Sequence, residues 1–204
     1  MGVLDKAVGV LAALGDGPLS LVELMAATGL PRATAHRLAS ALEVHGLVRR
    51  DTAGRFALGG RLVELGRMAA GAYPLAAEAR PVLEALRDLT GESVQLYVPE
   101  GAGRRCVVSL QSPHGLRWIV AEGALLPMDR GSAGKVFRGV AGWAESVEER
   151  EVGVCSVSAG VSDKQGNIVA AVSVSGPVER LSRHPGKRFG SAVLEAAARL
   201  SSYA

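Results

Sequence analysis

Cysteine is nearly missing from this chain of 204 residues, which holds only Cys106 and Cys155. Two thiols without C-x-x-C spacing exclude a disulfide scaffold and point to a reducing compartment with free, inert thiols. Lysine is also scarce, since Lys6, Lys135, Lys164 and Lys187 are the only four among 23 basic residues. No uninterrupted run of about 18 apolar residues exists to span a bilayer. Excess charge is lacking too: the net value is +3 with 48% hydrophobic residues, which excludes the disordered and collagen-like classes. Met1-Gly2-Val3-Leu4-Asp5-Lys6 puts an acid and a base where a signal peptide has its apolar stretch, and Lys6 stands where a myristoylation motif has Ser or Thr. The cytoplasm is the expected location. The length suits one large domain or two small ones with a real core.

What the chain does have is a located charge. Between Gly29 and Arg61 stand Arg32, Arg37, Arg49, Arg50, Arg55 and Arg61 against Glu43 and Asp51. The rest of the chain is about neutral, so an anionic partner is expected to meet this stretch. Leu4, Val8, Leu11 and Leu14 repeat at helical spacing until Gly15-Asp16-Gly17-Pro18 stops them. Ser20 and Glu23 form a capping box that opens a second helix, with Leu21, Leu24 and Met25 inward, closing at Thr28-Gly29. A third helix begins at Leu30-Pro31, with Ala35, Leu38 and Leu42 as its buried stripe and His45-Gly46 at its end. Two strand-like pieces, Leu47 to Arg50 and Arg55 to Leu58, flank the turn Asp51-Thr52-Ala53-Gly54.

Three short helices and a hairpin in this order describe a winged helix-turn-helix. The third helix then presents Arg32, Ala33, His36, Arg37 and Ser40 outward. A helix of this kind fits the B-DNA major groove, where Arg reads guanine and Ala meets a thymine methyl. The assignment is Arg32, Thr34, His36 and Arg37 at the major groove, with Arg49, Arg50 and Arg55 on the DNA backbone. An ordinary solvated helical face is the alternative.

From Gly60 a linker helix carries Leu62, Leu65 and Met68 and ends near Gly71, before Pro74. Ala79, Val82, Leu83, Leu86 and Leu89 then make an amphipathic helix stopped by Thr90-Gly91. After it the period falls to two, with strands expected at Val94–Val98, Arg105–Ser109, Trp118–Val120, Val154–Val161 and Ile168–Ser175, and a closing helix at Arg188–Ser201. Ser162-Asp163-Lys164-Gln165-Gly166-Asn167 reads as a hairpin turn with Gly166 at positive φ. The whole is α+β: residues 1–59 a DNA-binding domain, 60–73 a linker, and 74–204 a second domain.

The stretch Leu4-Asp5-Lys6-Ala7, Thr28-Gly29-Leu30-Pro31-Arg32-Ala33-Thr34-Ala35-His36-Arg37-Leu38, Gly46-Leu47-Val48 and Gly54-Arg55-Phe56-Ala57-Leu58-Gly59 resembles the IclR family of bacterial transcriptional regulators. Arg80-Pro81, Thr90-Gly91-Glu92-Ser93-Val94, Gly134-Lys135 and Ala170-Ala171-Val172-Ser173-Val174-Ser175-Gly176-Pro177 extend the resemblance over nearly the whole chain. Ser173 to Leu181 and Arg183-His184-Pro185-Gly186 are similar to the actinobacterial NdgR-type branch, which implies control of branched-chain amino-acid (leucine) metabolism.

The resemblance implies a GAF-like effector-binding domain at 74–204 and homodimers or dimers of dimers on double-stranded operator DNA. Its effector, an amino acid or small organic acid, would meet Ser132, Ala133, Ser156, Ser173 and Ser175. Alternation supports this independently, since Ser173 and Ser175 share one strand face, as do Ser156, Ser158 and Gly160. The other reading leaves these serines facing solvent. Two departures from the family stand out. A pocket carboxylate is Ser146 here, which speaks against an effector needing an anionic partner side chain. Only Arg138 to Gly142 separate Phe137 from Trp143, so either one pocket wall is gone or a mobile lid ordered by ligand is absent from the sequence.

Other motifs carry less. Gly131-Ser132-Ala133-Gly134-Lys135-Val136 is too short for a phosphate-binding loop, and Val136 sits where Ser or Thr would hold magnesium. His36, His45, His114 and His184 are scattered away from the cysteines, so no metal or cofactor is expected. Trp118 and Trp143 read as core or subunit contacts rather than ligand stackers, and Glu148-Glu149-Arg150-Glu151 reads as a solvated charge run. No nucleophile–base pair points to an enzyme. A small-molecule sensor or metabolic enzyme that does not bind DNA is the rival reading.

Overall fold

The computed structural model describes residues 2–70 and 74–204, and the chain divides into two compact units, Met1–Ala72 and Tyr73–Ala204. The first unit holds α1 (Val3–Ala13), α2 (Leu21–Thr28), α3 (Arg32–Val44), the hairpin β1 (Val48–Arg50) and β2 (Phe56–Leu58), and α4 (Arg61–Ala70). The capping box forms as the sequence predicts: Ser20 N donates to Glu23 Oε2 at 2.7 Å and Glu23 N to Ser20 Oγ at 3.3 Å. Gly29, at φ +67°, ends α2 in the left-handed region, where glycine carries no Cβ penalty. Pro31 is the N-cap of α3, which begins at Arg32.

Val10, Leu14, Leu24, Leu30, Ala35, Leu38, Ala39, Leu42, Val48 and Phe56 form one core. Leu19 and Phe56 exchange two backbone hydrogen bonds of 2.8 Å each, so the hairpin is tied to the start of α2. The α1 pattern divides between two faces: Leu14 is buried beside Val10, whereas Leu4 (76% exposed) and Val8 (63% exposed) point outward. The expected linker is helical over α4, and its last residues, 71–73, lie outside the described residues.

The second unit contains α5 (Pro74–Thr90), β3 (Ser93–Glu100), β4 (Gly103–Leu110), β5 (Leu125–Pro127), α6 (Ser132–Phe137), β6 (Trp143–Val147), β7 (Val154–Ser162), β8 (Ile168–Pro177), α7 (Val178–Leu181) and α8 (Pro185–Ser201). Its six strands form one antiparallel sheet in the order β5-β4-β3-β8-β7-β6, a GAF-like arrangement. Alternation gives the sheet two unlike faces. Val94, Leu96, Val108, Leu110, Val157, Ala159, Val161, Val172 and Val174 pack with residues of α5 and α8 in the main core, each buried Val or Leu contributing about 1.5–3 kcal/mol. The opposite face carries Gln95, Tyr97, Ser156, Ser158, Ser173 and Ser175, with α6 against its β7–β8 part. Leu89, expected inward on α5, is exposed.

Three strand assignments change, β5 at Leu125–Pro127 being one not foreseen. Trp118–Val120 is not a strand, because β4's free edge is already taken by β5, with Arg105 opposite Leu125, Arg104 opposite Leu126 and Gly103 opposite Pro127. The strand at Trp143–Val147, not foreseen, closes the other edge by pairing with β7. Trp143 packs where Gly186 and Gly190 of α8 have no side chain. The β7–β8 turn forms as read, with Asp163 N bonded to Asn167 O at 2.9 Å and Gly166 at φ +86°.

Glu92, 3% exposed, is held by Arg180 through two hydrogen bonds of 2.6 and 2.7 Å. Arg180→Met leaves that buried carboxylate without its cation. The expected loss is about 2–4 kcal/mol of unfolding free energy, read as a lower urea midpoint at unchanged slope. A loss under about 0.5 kcal/mol would class the pair with solvent-screened surface bridges.

Candidate functional site

The α3 helix turns Ala35, Leu38, Ala39 and Leu42 inward, which leaves Arg32, Ala33, His36 and Arg37 exposed and Thr34 half-buried at the margin. Neither Arg32 nor Arg37 has an ion-pair partner among the described residues. The hairpin arginines differ among themselves. Arg50 donates to Glu43 at 3.3 Å and to Gly54 O at 3.1 Å, and its guanidinium lies 4.2 Å from the Phe56 ring centre. Arg55 bonds Asp51 at 2.8 Å, and Asp51 also accepts the Ala53 and Arg55 N–H groups at 2.9 Å each. Those bonds, the Arg55 backbone N–H first, hold the Asp51 carboxyl below the usual range. Arg49 is exposed and has no ion pair among the described residues. Two wing arginines thus stiffen the hairpin, and the third is available to an external anion.

In the second unit a cavity opens between the polar sheet face and α6. Its lining includes Ser132, Ala133, Ser156, Ser173 and Ser175 together with Tyr97, Arg104, Trp118, Ser146 and Arg150. The cavity and its open mouth together measure about 390 Å³, the size of a small-molecule site. Register brings the serines together: Ser156 faces Ser175 and Ser158 faces Ser173 across the β7–β8 ladder. Ser132 Oγ lies 2.7 Å from both Ser156 Oγ and Ser158 Oγ, and Ser175 Oγ donates to Gln95 Oε1 at 2.8 Å.

The IclR helix-turn-helix domain matches residues 3–52, and the C-terminal domain of bacterial IclR transcriptional regulators matches residues 139–202. The glycerol operon regulatory protein of Streptomyces griseus is 30% identical over an alignment covering 97% of this chain and 94% of that protein. The chain belongs to the IclR family. IclR-family proteins of this kind are DNA-binding transcriptional regulators, not enzymes. The alignment to the Streptomyces protein runs over 239 positions against the 204 residues here, so that relative carries segments this chain lacks. Among solved structures, the Thermotoga maritima IclR superposes with a TM-score of 0.80 at 20% identity, covering 98% of this chain and 97% of that one. An IclR homologue from Microbacterium hydrocarbonoxydans, solved with 4-hydroxybenzoate, superposes with a TM-score of 0.77 at 18% identity over the whole of both chains.

In this IclR-family chain the five serine and alanine positions expected at an effector site line one cavity, and the seven positions expected at DNA lie on α3 and its hairpin. The Phe137–Trp143 connection is a short turn with Gly139 and Gly142 at positive φ. Sequence reasoning missed Arg104, Arg150, Tyr97 and Gln95 on the polar face. It also misread Glu148–Glu151 as merely solvated: Glu149 accepts from Gly131 N at 3.0 Å and from Lys135, and Arg150 lines the cavity. The cysteines are buried, and burial pushes Cys106 up to about 12 and Cys155 up to about 11. Among the described residues no cluster of His, Cys, Asp and Glu could hold a metal, and no helix is long and apolar enough to cross a membrane.

Glu149 is the clasp between the β6–β7 turn and the start of α6. Burial raises its carboxyl, but hydrogen bonds from Lys135, Gly131 N–H and Ser146 outweigh that and leave it below its ordinary 4.5. A depressed carboxyl stabilises the fold above its unfolded value and loses that contribution as pH falls through the folded one. Thermal melts from pH 7 down to about 3 are therefore expected to show a shallower acid decline for Glu149→Gln, which starts from a lower melting temperature at pH 7. Parallel curves would remove Glu149 from the acid response.

Proposed function

We propose that this protein is a metabolite-responsive operator-binding regulator. In this reading α3 reads the major groove through Arg32, Thr34, His36 and Arg37, and Arg49, Arg50 and Arg55 support the wing on the DNA backbone. The observation that carries it is the exposed Arg32-His36-Arg37 face, without an ion pair among the described residues, on the second helix of a helix-turn-helix. Such a face gives bidentate guanine readout and phosphate attraction together. Residues 1–59 act as the DNA-binding domain, 60–73 as the linker and 74–204 as the effector domain.

The effector is a small metabolite in the cavity lined by Ser132, Ala133, Ser156, Ser173 and Ser175, a reading supported by the 4-hydroxybenzoate carried by one structural neighbour. The protein works as a homodimer or dimer of dimers, because one recognition helix contacts too few base pairs to select an operator. The exposed Leu4 and Val8 on α1 suit such pairing. Ligand in the second domain biases the spacing of paired recognition helices through residues 60–73, and the coupling is reciprocal. Control of branched-chain amino-acid (leucine) genes rests on the resemblance of residues 173–186.

Anisotropy titrations of the protein on its own upstream DNA and on scrambled DNA, at several salt concentrations, test the DNA reading. Arg37→Ala is expected to cost about 1–3 kcal/mol on the operator and to relax its selectivity, and Arg49→Ala to weaken all sequences alike and lower the salt slope by about one. Unchanged selectivity in Arg37→Ala would displace the readout from α3.

A further inference from the structure

Arg104 is the largest fully buried side chain, 2% exposed, and it has no ion-pair partner among the described residues. One guanidinium nitrogen donates to Pro127 O, the guanidinium lies 5.4 Å from the Tyr97 ring centre, and its Nε has no hydrogen-bond partner. It packs against the glycines at the start of α6: a Cβ on Gly131 or on Gly134 would stand 3.0 Å from a terminal guanidinium nitrogen. Arg150, half-buried, lies beside it in the lining, its charge bearing on Tyr97 and its guanidinium 5.8 Å from the Trp118 ring centre.

The carboxylates nearby are already engaged. Asp129, whose charge reaches Arg104 only from a distance, pairs with Arg130, and Glu149 serves Lys135 and the Gly131 N–H. Arg138, which also bears on Arg104, is turned to Met128 O. Gln95, behind Ser175, likewise keeps a buried Nε2 without a partner. Both unsatisfied groups of this face are thus N–H donors. Burial pulls the Arg104 guanidinium down, and arginine stays charged in a protein, so the site holds a desolvated cation with no anion in contact among the described residues. Such a charge is costly unless a partner supplies the counter-ion.

We propose that this cavity is a receptor for the carboxylate of a small organic acid that bears no ammonium group, with Arg104 as the anion-binding residue and Arg150 as the second cation at the site. This rests on the reading of the cavity as the effector site and names the ligand class. The serine hydroxyls serve the neutral polar end of the ligand. A free amino acid is disfavoured, because its ammonium would lie among guanidinium groups with no carboxylate left to receive it. A 2-oxo acid, a hydroxy acid or an aromatic acid meets neither obstacle.

The test uses the full chain without DNA, with two matched pairs of probes: 4-hydroxybenzoate against 4-hydroxybenzamide, and 4-methyl-2-oxopentanoate against leucine. Calorimetry and thermal shift are expected to give at least one acid an affinity tenfold or more (about 1.4 kcal/mol) above its amide or amino-acid partner. In Arg104→Gln that preference disappears, Arg104→Lys restores part of it, and the ligand-free Arg104→Gln protein melts higher because a buried, unneutralised charge is gone. Should Arg104→Gln fail to fold, the wild-type pairs and Arg150→Gln, expected to weaken the acids but not the amide, still decide.

Equal affinity within both pairs, tighter binding of leucine than of its oxo acid, or no acid binding at about 10 mM overturns the proposal. So does an Arg104→Gln variant that binds acids as the wild type does. Acid binding at Arg104 that leaves DNA affinity unchanged would instead count against the effector reading.

Discussion

A one-residue shift in the pairing of β3 with β4, between Leu96 and Tyr97, governs what the second unit presents on each face. On one side of the shift Val94 opposes Leu110 and Leu96 opposes Val108, all facing the α5–α8 core. Beyond it Tyr97 opposes Cys106 and Pro99 opposes Arg104. A bulge of this kind reverses the parity of its strand, so Arg104 and Cys106 leave the core face and join the polar one. Without it the guanidinium would enter the aliphatic core, where no ligand could reach it.

That parity rule also explains how much the sequence could disclose. The helix-turn-helix was legible because its signals are local: the Ser20–Glu23 box, Gly29 at a left-handed turn, and the Ala35-Leu38-Leu42 stripe. Ser156, Ser158, Ser173 and Ser175 were legible because strict alternation puts them on one face, and antiparallel register then sets them opposite each other. Arg104 was not, since alternation within β4 groups it with Val108 and Leu110, and the extra residue that separates them leaves no sequence mark. Trp118–Val120 has a strand's composition but lost the competition for β4's edge to β5. Trp143–Val147 looks polar as a segment, yet Trp143 fills the space left by two glycines of α8. Each miss is a tertiary decision taken between distant segments.

The two units differ in how their charges are disposed. In the first, Asp51 and Glu43 engage Arg55 and Arg50, which holds the wing in shape, while Arg32, Arg37 and Arg49 are left to an external anion. In the second, Glu100, Asp129, Glu149 and Glu92 engage Arg105, Arg130, Lys135 and Arg180, while Arg104 is buried with no ion pair among the described residues. In the reading proposed above, a polyanion outside and a small anion inside meet the same chemistry, unneutralised guanidinium, at different depths and dielectrics. Free energy linking the two sites must act equally in both directions.

The most direct test of the account is the dissociation constant for the protein's own upstream DNA, measured by anisotropy at fixed ionic strength with and without a saturating small carboxylic acid, using its neutral amide as control. The acid is expected to change the DNA affinity by about fivefold or more while the amide leaves it unchanged. An operator affinity indifferent to every acid that the cavity binds would contradict it.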